Sequence, residues 1–123
     1  MTPTTVWAAV EAVMHRPFEW GRSDCSTSAC DVFAALWGVD PLAPWRGAYD
    51  SALSAARLIH RMGGHEALAI EMARRAGLRD GDAIGAIGLA GRTLVICVRP
   101  GVWAGKTETG LAVVRAVDRA WHA

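Results

Sequence analysis

The spacing of apolar residues changes period once along this chain, near Leu78, and that change fixes the class of fold it can adopt. Before it, apolar side chains recur at helical intervals. Val6, Trp7, Val10, Val13 and Met14 mark a first helix, with Thr2 as its cap, Pro3 in its first turn and Pro17 as its stop. A second helix starts at Asp24 or Cys25, buries Ala29, Val32, Phe33, Leu36 and Trp37, and ends at Gly38. The run VDPLAPWRGAYDS holds two prolines and a glycine and reads as a loop. Ser51 or Asp50 then caps a third helix with Leu53, Ala56 and Ile59 turned inward, which Gly63-Gly64 ends. A fourth runs roughly from Glu66 to Ala76 and stops at Gly77. After Leu78 come DAIGAIG, TLVICV, GVWAG and LAVVRAV, short β-rich runs separated by turn residues. Helices first and strands second predict an α+β domain, with residues 1–77 helical and 78–123 an antiparallel meander.

At 123 residues the chain is expected to form one domain, 1–123, with a single core. Hydrophobic residues are 52% and charged residues 20%, the balance of a globular protein. Thirteen basic residues face twelve acidic ones, with no basic tract, so nucleic acid is not an expected partner. No apolar run is long enough to cross a membrane, and the first twenty residues lack the charged start and apolar block of a signal peptide. Six Trp is a high count, and Trp is enriched at protein interfaces. In the proline-rich loop, Trp45 and Tyr49 are the expected interface contacts.

The cysteines number three, which argues against a disulfide framework. Cys25 and Cys30 lie five apart, not at metal-knuckle spacing, and no metal or cofactor is expected. Cys30 and Cys97 read as inert packing residues. Cys25 is different, because Asp24-Cys25-Ser26 stands at the head of a helix. A helix start presents unpaired N–H groups and about half a positive charge, which lowers a thiol pKa from its free value of roughly 8.5. Asp24 is the expected cap and support of that site. As a nucleophile Cys25 would need a base, normally His. The plainer alternative is a small apolar residue at a helix end.

The run Pro17-Phe18-Glu19-Trp20-Gly21, followed by Asp24-Cys25-Ser26, resembles the motif of NlpC-type cell-wall peptidases, which are papain-like. The resemblance implies a papain-like fold, with the cysteine helix packed on an antiparallel sheet whose second strand carries the base. A similar likeness links Trp-Gly…Asp-Cys, GVDPLAPWRGAY and GLAVVRAVDRAW to small proteins of unassigned function encoded among phage and prophage tail genes. That likeness implies a virion protein of the tail tip or baseplate, made in the host cytoplasm, with other tail proteins as partners and peptidoglycan as a second candidate partner.

Against the peptidase pattern, the base position reads as Thr93, which takes no proton near neutral pH. The aromatic that is usually Tyr is Phe18. Among the histidines, His15 is a substitute base by sequence proximity, and His65 is the other to weigh; His60 and His122 read as surface residues. Three functions follow: a tail-tip or baseplate component with an incomplete catalytic set, a tail-borne peptidoglycan cysteine peptidase using Cys25, or a tail assembly chaperone.

Overall fold

The computed structural model describes all 123 residues. Four helices precede a six-stranded antiparallel sheet. Helix α1 spans Pro3–Met14 and α2 Cys25–Trp37; a 3-10 turn at Ala43–Trp45 leads to α3, Ala52–Arg61, and α4, His65–Arg75. The strands are β1 Arg79–Asp80, β2 Ile87–Ala90, β3 Thr93–Arg99, β4 Val102–Thr107, β5 Gly110–Val114 and β6 Arg119–His122.

Strands β2 to β5 form the expected meander, but the sheet order is β1-β6-β2-β3-β4-β5. The last strand crosses back, pairing Ile87 with Trp121 on one side and Asp80 with Trp121 on the other. The run read as one strand therefore divides, since Arg115 to Asp118 leaves the sheet edge before β6 begins.

Period-2 alternation gives β3 two apolar faces. Leu94, Ile96 and Val98 join the main core with α1 and α2, while Val95 and Cys97 join a smaller cluster with Ala86 and Trp103 on the other face. The main core is centred on Phe33, Val6, Val10, Met14, Val32 and Ile96, all nearly inaccessible. Helix α1 turns only Val6, Val10 and Met14 fully inward; Trp7 stays 37% exposed. Thr2 caps it, accepting the Thr5 N–H at 3.2 Å. Its far end is tied to the sheet by Lys106 of β4, a buried ammonium that donates to the Met14 carbonyl at 2.9 Å and to the Arg16 carbonyl.

The proline-rich loop folds back over the core. Asp40 accepts the Leu42 N–H at 3.0 Å and the Arg46 Nε–H at 3.1 Å. Arg46 also donates to Asp31 of α2 at 2.7 Å, and Asp31 takes Arg16 at 2.8 Å. These bonds pin the loop at both ends. Trp45 is thereby buried, and the Arg75 guanidinium carbon sits 5.3 Å from its ring centroid. Trp45 is thus not an exposed interface contact, because the loop's own ion pairs turn its ring inward.

Helix α3 is capped by Ser51 as expected, but its buried face differs. Ile59 packs against the core as expected and Ala55 and Leu58 point inward, while Leu53 is 60% exposed and Ala56 is also exposed. Alanine spacing carries little periodic signal, so a shift of one residue rotates the assigned face by about 100°.

Candidate functional site

The site is built around the Asp24 carboxylate. Asp24 precedes α2 in an extended conformation, and its Oδ1 accepts the Thr27 N–H at 2.8 Å. Thr27 Oγ1 accepts the Asp24 N–H at 2.8 Å in return, a reciprocal capping box. Oδ2 accepts the Gly21 N–H at 2.8 Å, closing the turn that leads into the helix. Gly21 has φ of +83°, and a Cβ there would run into the Tyr49 carbonyl oxygen. Glycine is required on both counts. The Trp-Gly and Asp-Cys halves of the motif are therefore one locked turn.

Cys25 is the first residue of α2 and lies half-buried, with Sγ 3.8 Å from Ser26 Oγ. The Leu94 backbone N–H lies beside the sulfur, so the start of β3 does face the helix head. Burial pushes the thiol above its ordinary range; the Ser26 hydroxyl opposes the shift and the Asp24 charge reinforces it. The expectation of a lowered pKa is overturned here. Desolvation of a thiolate outweighs the hydrogen bonds from Ser26 and the Leu94 N–H, and the capping carboxylate adds repulsion next to it.

Thr93 does not occupy a base position in space. It shares the far face of the sheet with Val95, and a Cβ built on Gly105 of β4 would lie 2.8 Å from Val95 Cγ1 and 3.4 Å from Thr93 Cγ2. Alternation places Leu94 toward the helices instead, with Arg92 one period before it at the site rim. His15 is exposed at the C-terminal end of α1 and does not line the site. Neither residue supplies a proton acceptor to Cys25.

Cys25 opens into a cavity of about 660 Å³. Helices α3 and α4 form most of its wall, with Leu58, Ile59, Leu68 and Met72, and Leu42 adds to the apolar lining. Trp20, Tyr49, His60, His65 and Arg92 also line it. His65 is the first residue of α4, following Gly63-Gly64, whose φ values of +94° and +110° make the sharp reversal. Burial, helped by the Arg92 charge, holds its imidazole below the usual pKa, so it is neutral at pH 7. Tyr49, expected to contact another protein, is half-buried with its hydroxyl held above the usual pKa by burial and by the Asp24 charge. Cys30 and Cys97 are buried with raised pKa values, Cys30 the more strongly, and neither reaches the cavity. No group of three or more His, Cys, Asp or Glu side chains is placed to hold a metal.

One family model matches residues 3–123, described as a domain of unknown function, DUF6950. The chain belongs to the DUF6950 family. The match runs through the helical half and the sheet alike, so the DUF6950 domain includes the locked turn, the cavity and the returning strand β6. Neither a curated protein nor a solved structure matches the chain.

Arg92 and the cavity role of His65 and His60 were the least legible parts. Arg92 precedes β3 in the turn after Gly91, and no spacing rule connects it to Cys25. The Gly63-Gly64 reversal is the one signal that pointed to His65, because it sets that residue at a helix start.

Proposed function

We propose that this DUF6950 chain is a component of a phage or phage-like tail tip or baseplate, built on an NlpC-type fold whose peptidase site lacks its catalytic pairing. One observation carries the second half of this reading: the strand that faces Cys25 brings the Leu94 backbone, and Thr93 faces away. The thiol is held protonated by burial, so no thiolate–imidazolium pair stands ready. What remains is a cavity fit to bind. The tail assignment rests on the resemblance of the Trp-Gly…Asp-Cys turn, the Asp40–Arg46 loop and the C-terminal run to tail-gene proteins. The pinned loop gives that shared pattern a physical reason, since Asp40 and Arg46 hold in place the loop that brings Leu42 and Tyr49 to the cavity.

The test is a particle carrying Cys25→Ala. Assembly and infectivity equal to wild type are expected. Assembled particles that fail to infect would overturn the reading.

A second reading has its own support, because His65 and Cys25 line one cavity and the imidazole is neutral. In a hydrolase, His65 would take the Cys25 proton as Sγ attacks an amide carbonyl. It would return that proton to the departing amine, leaving a thioester for water to cleave. Purified protein incubated with peptidoglycan separates the two. Release of amine groups by wild type, lost in both Cys25→Ala and His65→Ala, favours the hydrolase; no release favours the incomplete site.

A further inference from the structure

The chemistry of the cavity wall defines what it can hold. Leu42, Leu58, Ile59, Leu68 and Met72 give it an aliphatic lining. The same cavity is lined by His60, His65 and Arg92, with the Arg92 charge close to His65. Asp24 is the sole acidic lining residue, and its carboxylate is buried and already committed to the Gly21 and Thr27 N–H groups. The Arg92 side chain makes no ion pair within the chain, although Arg46, Arg74, Arg75 and Arg119 all do. An aliphatic chamber with an unpaired guanidinium at its rim is complementary to one kind of molecule. Its volume of about 660 Å³ falls within the range of small-ligand pockets.

We infer that the cavity binds an aliphatic carboxylate, with the chain lying between α3 and α4 and the carboxylate on Arg92. This rests on reading the site as one that binds. It adds the ligand class, and it separates this cavity from a cell-wall peptide site. A stem peptide carries polar and charged groups along its whole length. Leu58, Leu68 and Met72 would desolvate those groups and return no hydrogen bond. An alkyl chain meets no such penalty, and its burial is favourable.

The experiment titrates decanoate, decan-1-ol and a soluble stem peptide into the Cys25→Ser protein by calorimetry. With the thiol replaced, binding is read without any reaction at that position. Decanoate is expected to bind more tightly than decanol. Arg92→Gln should weaken decanoate at least about tenfold, the loss expected of a charged hydrogen bond, and leave decanol unchanged. Ala56→Trp, placed on an exposed stretch of α3 that also lines the cavity, should block both ligands without requiring the core to repack. In the wild type, decanoate should slow alkylation of Cys25 by iodoacetamide. Equal affinity for the acid and the alcohol overturns the inference. So does unchanged decanoate binding in Arg92→Gln, tighter binding of the stem peptide, binding that leaves Cys25 unshielded, or no binding of decanoate at all. Each of these outcomes is independent of turnover, which is the measurement that decides whether the site lacks its base.

Discussion

Asp24 accepts the Gly21 N–H at 2.8 Å across the turn that enters α2. That bond joins the tightest backbone position of the motif to the carboxylate beside the thiol. It makes Asp24 a scaffold for the site.

Asp24→Ala removes both the helix cap and the turn bond, and leaves two donors without acceptors in a buried place. The expected loss is about 3 kcal/mol, the sum of a cap and a charge-assisted bond. Asp24→Asn keeps one acceptor oxygen and should lose about half as much. Urea unfolding measures both, and equal losses in the two variants would contradict this account.

Gly21→Ala and Gly91→Ala separate backbone strain from collision. Both residues have positive φ, but only Gly21 lies against another chain segment, the Tyr49 carbonyl. Gly91→Ala is expected to cost about 1 kcal/mol from strain alone, and Gly21→Ala at least twice that. Similar unfolding midpoints for the two would show that the Tyr49 loop yields.

Alkylation reads the state of Cys25 directly. Its raised pKa means slow reaction with iodoacetamide in the folded protein at pH 7. The rate should climb through a midpoint above roughly 8.5, the value of a free thiol. Cys30 and Cys97 are buried and should lag behind it. A midpoint below neutrality would restore the activated nucleophile and with it the hydrolase.

His65 gives stability a pH dependence of definite sign. Its folded pKa lies below its unfolded one, so below about pH 6.5 the unfolded chain binds the extra proton. Its contribution is flat above that value and turns unfavourable as the pH falls through the unfolded pKa, levelling once the folded imidazole is also protonated. His65→Gln should remove this slope from plots of urea midpoint against pH. A slope identical to wild type would place the titration elsewhere.

Lys106→Met keeps the buried stem of Lys106 but takes its donors from the Met14 and Arg16 carbonyls. Loss of about 2 kcal/mol is expected, with faster hydrogen exchange confined first to the last turn of α1.

Legibility in the sequence followed the strength of local rules. The α+β order, the caps at Thr2, Asp24 and Ser51 and the glycine stops could be read because each depends on a few neighbouring residues. The face of α3 could not, because Ala52, Ala55 and Ala56 fill its first half and alanine carries little periodic signal. The position of β6 could not either, since pairing with Ile87 is set by the whole sheet and not by any turn. The motif aligns Thr93 with the base position, but one residue of register reverses the direction of a strand side chain, and it is Leu94 that faces the helices. The cavity combines α2, α3, α4 and the turn before β3, and it was visible in the sequence only as separate histidines, an arginine and a double glycine.

The return of β6 to the middle of the sheet has a consequence for how the domain is made. Strand β1 has β6 as its only partner, and β2 has β3 alone until β6 arrives. Until residues 119–121 pair with 87–89, an apolar strand keeps one edge open. Contacts between such distant residues form slowly, because a long loop must close first. Closing the sheet is therefore a late step in folding, and a chain cut before Arg119 leaves the Ile87–Leu89 edge open as a template onto which another strand can add.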